Sequence, residues 1–178
     1  MKKLSRLLLP LCLVGLFIGG CKNKDASNNG RETVQFDKVG NWEILGQKTP
    51  LYINFSENDS KGECAWQILI NNDFNGEPQF CYSDYEVCKD MEPGSVSIDF
   101  GGIQLEGEVS EIIIDDENLI NLDSETNVVN GVLPVLSKGN FDIVITNTKT
   151  GEQRTRHIGN ETAQAEEAYN KLIQLKKQ

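Results

Sequence analysis

Apolar residues fall along most of the chain in short clusters separated by breakers. Segments rich in β-formers recur at 33–36, 42–45, 51–55, 65–70, 79–82, 95–100, 103–109 and 111–114. Gly46, Thr49-Pro50, Asn58-Asp59, Asn75-Gly76, Pro93-Gly94 and Gly101-Gly102 stand between them. Runs of about five such residues with turn signals every 8–12 positions predict antiparallel strands. In 65–70, Trp66, Ile68 and Ile70 alternate with Ala65, Gln67 and Leu69, which leaves one face wholly apolar and predicts a core strand. Two further strands, 141–146 and 152–158, flank Lys149-Thr150-Gly151 as a hairpin.

Then the period changes. Ala165, Ala168, Tyr169, Leu172 and Ile173 keep the i, i+3, i+4 spacing of a helix face, behind a breaker and N-cap at Gly159-Asn160. Glu161, Glu166 and Glu167 lie towards its start and Lys171, Lys176 and Lys177 towards its end, the order the helix dipole favours. Residues 124–138 are mixed: Val128, Val129, Val132, Leu133 and Leu136 have helical spacing, whereas Asn130, Gly131 and Pro134 oppose a helix. A short helix is expected there. The predicted fold is therefore mainly β, an antiparallel and sandwich-like sheet structure with a short helix and a C-terminal α-helix, in one domain over 34–178.

The N-terminal pattern is different. Lys2, Lys3 and Arg6 precede a run over 7–18 made mostly of Leu, Val, Ile and Phe, too short for a transmembrane helix and suited to a signal peptide. The run ends in Ile18-Gly19-Gly20-Cys21. This resembles the lipobox of bacterial lipoproteins, which implies a signal peptide over 1–20, cleavage before Cys21 and lipid attachment at the Cys21 thiol. Two or three acyl chains give stable anchoring where one is marginal. Lys22, where that family reads Asp as a retention signal, implies the outer membrane, with the folded part on its periplasmic or surface face. Residues 21–33 lack large apolar side chains after the anchor and predict a flexible tether, about 20 Å in r.m.s. span. The tail order of short helix, strand, Thr-Gly turn, strand and helix also resembles the ends of small periplasmic proteins of the invasion-associated locus B and type VI secretion-associated types; no functional residue follows from it.

Charge narrows the partners. The chain has a net charge of −10, and removal of 1–20 takes it to about −13, because Lys2, Lys3 and Arg6 leave and no acid does. Nucleic acid is excluded as a partner, since phosphate binding needs the opposite sign. A basic protein suits it better. Cys64, Cys81 and Cys88 in an oxidising compartment predict one disulfide. A tight turn at Asn75-Gly76 sets residue 64 opposite residue 87 and favours Cys64 with Cys88.

Chemistry is sparse. Asn71, Asp73 and Asn75 before Gly76 have the oxygen spacing of a calcium loop, but Tyr82 stands where a bidentate Glu is needed, so a polar turn is expected and no metal. His157 is the only histidine, and it lies in a strand beside Arg154 and Arg156 as a surface residue. No motif of a nucleophile elbow, zinc protease or phosphate loop occurs. The chain reads as a non-catalytic binding module without cofactor. Candidate contact residues are Tyr82 and Tyr85, beside polar neighbours, and the acidic run Asp115, Asp116 and Glu117. Its expected roles are an immunity, inhibitor or exclusion protein against an envelope-active partner, or a structural accessory of an envelope secretion or conjugation machine.

Overall fold

The computed structural model describes residues 33–72, 78–109 and 125–177. Two antiparallel sheets pack together. The first is a five-stranded meander of β1 (Val34–Val39), β2 (Trp42–Gly46), β3 (Pro50–Asn58), β4 (Cys64–Asn72) and β5 (Pro78–Asp84), in that order. A single helical turn, α1 (Tyr85–Cys88), follows. The second sheet holds β6 (Ser95–Phe100), β7 (Ile103–Glu108), β8 (Phe141–Asn147) and β9 (Gln153–Ile158) in the order β7-β6-β8-β9. Between β7 and β8 a π-helical stretch (Glu125–Val132) runs into α2 (Leu133–Lys138), and α3 (Ala165–Lys176) closes the chain.

The period-two pattern becomes the core. Across the first sheet, Ile44 faces Ile53, Ile53 faces Ile70 and Ile70 faces Phe80, while Phe55 faces Ile68 and Ile68 faces Tyr82. All of these are buried. The side chains at Val96, Ile98, Phe100, Ile143 and Ile145 line the facing sheet. Phe100 joins the two, with its ring centroid 5.2 Å from Phe80 and 5.9 Å from Tyr82. Each large apolar side chain so buried contributes about 1.5–3 kcal/mol of transfer free energy. At the other end of the first sheet α3 covers the strands with Ala165, Ala168, Tyr169 and Leu172, the stripe its spacing predicts.

The sequence-based boundaries need four corrections. The terminal helix begins at Ala165, because Asn160 belongs to a turn in which its carbonyl accepts from Ala163 N. Gln164 enters the helix with a left-handed φ of 71°. The expected short helix is divided: Pro134 sits in the first turn of α2, where its missing N–H has no intrahelical bond to make, and the Asn130-Gly131 segment before it adopts the wider π turn. The β4–β5 ladder pairs Trp66 with Asp84 and Asn72 with Pro78, one residue away from the register a tight Asn75-Gly76 turn would set. The Cys64–Cys88 disulfide is not formed in the structure: α1 folds Cys88 into the interior, while Cys64 Sγ lies 3.7 Å from the Trp66 carbonyl oxygen. The strand expected at 111–114, together with Asp73, Asn75 and Gly76, lies outside the described residues.

Candidate functional site

Two polar regions interrupt the apolar interior, and both involve β4 or its neighbours. The first joins the sheets. On β9, Arg154 and Arg156 share the parity of buried Ile158; Arg154 is 41% exposed and pairs with Glu152, whereas Arg156 turns inward. Arg156 meets Asp84, the last residue of β5, in a bidentate pair: Nε donates to Oδ2 at 2.7 Å and Nη2 to Oδ1 at 2.8 Å. The Asp84 side chain is fully shielded from solvent and that of Arg156 nearly so, at 0% and 14% exposure. Arg156 Nη2 also donates to Glu86 Oε2 at 3.1 Å, and its guanidinium carbon lies 5.2 Å from the centroid of Trp66. The Tyr82 hydroxyl donates to Asp84 Oδ2 at 2.7 Å, and Val87 N donates to Asp84 Oδ1 at 3.0 Å, which caps α1.

Such a network is worth keeping only when every group is satisfied. Burial works against the Arg156 charge, yet the hydrogen bonds and negative charge of Asp84, with Glu86, raise its pKa. Burial and the nearby Asp84 carboxylate push the Tyr82 hydroxyl well above the ordinary phenol range. Cys88 lies close by, and burial pushes its thiol up to about 12, which keeps it protonated and unreactive at neutral pH. Tyr82 is thus no contact residue. It alternates with Phe80 on the inner face of β5, so the polar residues that follow it do not bring it to the surface. Tyr85, one residue past the strand, is 45% exposed.

The second region is a notch of about 440 Å³ at the far end of β2 and β3. Its origin is a mismatch of strand lengths. The ladder between β2 and β3 stops at Glu43–Asn54, whereas β3 continues beside β4 as far as Asn58. From Phe55 to Asn58 the β2 side of β3 has no strand beside it among the described residues. The turn after β1 and the segment before α3 wall off the space, held together by Asn41 Nδ2, which donates to the Glu161 carbonyl at 3.0 Å, and by Trp42 Nε1, which donates to the Thr162 carbonyl at 2.9 Å. Glu43, Glu57 and Glu161 line the notch with Asn41, Asn54, Ser56 and Asn58, and Lys38 supplies the opposing charge. Glu57 accepts from Trp66 Nε1 at 2.9 Å, and Glu161 Oε1 accepts from Gly159 N at 2.8 Å, so two of the three carboxylates are held in place. Asn54 is 4% exposed, and among the described residues the one buried side-chain nitrogen or oxygen without a hydrogen-bond partner is Arg154 Nε.

A wider recess of about 770 Å³ adjoins it between β1 and α3, lined by Asp37, Lys38, Gly40, Gln164, Glu166 and Lys171 among others. Its charges are mixed and partly paired. Lys171 Nζ lies 3.3 Å from Asp37 Oδ2, and the Asp37 carboxyl is held below the usual range, first by the Lys38 N–H and then by Lys171. Gly40 has a φ of 57°, a left-handed conformation that favours glycine in this turn.

His157 is a surface strand residue, with Nδ1 2.8 Å from Oδ1 of its cross-strand neighbour Asp142. Cys21, Asp115, Asp116 and Glu117 lie outside the described residues. Among the described residues no group of three or more His, Cys, Asp or Glu is arranged to hold a metal ion, and no helix is long and apolar enough to cross a membrane. The sequence reading missed Glu43, Asn54, Glu57 and Glu161, which come from three separate segments, and missed the Asp84–Arg156 pair. Only the pair left a signal: Arg154, Arg156 and Ile158 share one parity in a strand. No known protein family, curated protein or solved structure matches the chain.

Proposed function

We propose that this protein is a bacterial lipoprotein, held by acyl chains on Cys21 to the outer membrane, whose acidic β-sandwich binds a basic protein of the cell envelope and blocks it, as an immunity, inhibitor or exclusion protein does. The acidic notch supports this reading: Glu43, Glu57 and Glu161 line it with Lys38, on a chain that already has an excess of acids. Opposite charge steers the encounter and selects the partner, while the tether over 21–33 lets the domain reach it from the membrane surface. The Gly19-Gly20-Cys21 junction supports the anchor. Two measurements test the reading. Mass spectrometry of the native protein is expected to find cleavage before Cys21 and acyl chains on that residue, and Cys21→Ser is expected to leave the membrane fraction. Purified lipoprotein is expected to capture a basic envelope protein with an affinity that falls as salt is added; recovery of none from envelope extract contradicts the binding role.

A second reading, a structural accessory of an envelope secretion or conjugation machine, draws on β1, an end strand of its sheet whose Val34 and Phe36 are exposed. Stable co-purification with membrane-spanning proteins would favour it.

A further inference from the structure

We infer that Asp37 and Lys171 form a latch that closes the β1 edge of the first sheet to a second copy of this chain, and that opening the latch lets two copies pair through β1. This latch is independent of the binding role proposed above.

An end strand offers its outward main-chain groups to any other extended chain. β1 has β2 on one side and no strand among the described residues on the other. Val34 and Phe36 are exposed on it, so apolar side chains lie beside the open main chain. Such an edge pairs with other chains unless something blunts it.

β1 is blunted in two ways. Its ladder with β2 runs from Val39–Trp42 back to Asp37–Ile44 and then slips, with Phe36 as the extra residue before Gln35–Leu45. A bulge there twists the edge away from a flat partner. The second device is a side chain. Val39 pairs with Trp42 across the two-residue turn Gly40-Asn41, so the alternation of an antiparallel ladder points the main chain of Lys38 away from β2. The Lys38 N–H is nevertheless covered, because it donates to Asp37 Oδ1 at 2.8 Å. That oxygen stands where the carbonyl of an incoming strand would accept. The helix beside the sheet holds it there: Lys171 Nζ of α3 lies 3.3 Å from Asp37 Oδ2. One carboxylate thus divides its two oxygens between the edge and the helix.

Main-chain pairing asks only for another extended strand, and β1 of a second copy suits it in charge. The strand carries one acid and one base, Asp37 and Lys38, whereas the chain has a net charge of −10. Two copies therefore repel over most of their surfaces and least where β1 meets β1.

Sedimentation equilibrium of the full-length protein in density-matched detergent micelles tests the latch. The parent is expected to be a monomer. Asp37→Ala uncovers the Lys38 N–H and is expected to self-associate about tenfold more tightly than the parent, the gain that one or two main-chain hydrogen bonds provide. Lys171→Ala leaves β1 untouched and frees the carboxylate from the helix; it is expected to give a smaller gain of the same kind. Asp37→Asn keeps an oxygen for the Lys38 N–H and is expected to behave as the parent. Adding Phe36→Lys to Asp37→Ala is expected to restore the monomer, because a lysine blunts an edge. A folded Asp37→Ala protein that stays monomeric overturns the inference, as does a parent dimer that Phe36→Lys dissolves, or an Asp37→Ala dimer that Phe36→Lys leaves intact. Self-association of Asp37→Asn equal to that of Asp37→Ala would make charge rather than the covered N–H responsible, and overturns the latch. No gain in Lys171→Ala removes the helix from it.

Discussion

The junction at Asp84 and the notch at Asn54 are both polar regions in an apolar sandwich, yet they are finished differently. At the junction the carboxylate of Asp84 receives hydrogen bonds from Arg156, Tyr82 and Val87, and the guanidinium lies over Trp66. At the notch the polar residues line a recess open to solvent, and none of their side-chain atoms is both buried and without a hydrogen-bond partner. A satisfied buried network fixes one packing of the two sheets, whereas polar groups that reach solvent leave their pairing to water. The regions also touch. Trp66 lies beneath Arg156 with its ring and holds Glu57 with its indole N–H, so one side chain belongs to both.

The contrast is most easily broken at the junction. Asp84→Ala strands Arg156 and the Tyr82 hydroxyl in the interior and is expected to destabilise the fold by about 3–5 kcal/mol in urea denaturation. Replacing Asp84 and Arg156 together with apolar residues is expected to cost less than Asp84→Ala alone. If the single change costs less than about 1 kcal/mol, the junction is not the buried pair its geometry describes.

Alkaline titration probes the same interior. The Cys88 thiol moves from an ordinary 9.0 to about 12 on folding. The folded state therefore holds its proton where the unfolded state releases it, so this contribution is full below the ordinary value and is lost as pH rises from 9.0 to about 12. Stability is expected to fall across that window in the parent and less steeply in Cys88→Ala, and alkylation of Cys88 at neutral pH is expected only on unfolding.

Trp66→Phe keeps a ring in the core and deletes the donor to Glu57. The expected loss is about 1–2 kcal/mol in urea denaturation. His157→Ala, which removes an exposed pair with Asp142, is expected to change stability by less than about 1 kcal/mol.

How much of this was legible depended on distance along the chain. Trp66, Ile68 and Ile70 carry their burial in a local alternation, and Ala165, Ala168, Tyr169 and Leu172 in a helical one, so both elements could be read from sequence. Tyr82 was misplaced because Ser83, Asp84 and Glu86 suggested surface, whereas its parity with Phe80 put it inside. Asp84 looked solvated because its cation lies 72 residues away. The notch had no signature at all: it arises where β3 outlasts β2, and a strand's length relative to its neighbours is settled by pairing rather than by its own residues.

The most direct measurement is the capture of a basic envelope protein by the purified lipoprotein as salt is raised. The account predicts an affinity that falls with ionic strength. Recovery of no basic protein from envelope extract, or an affinity indifferent to salt, would contradict it.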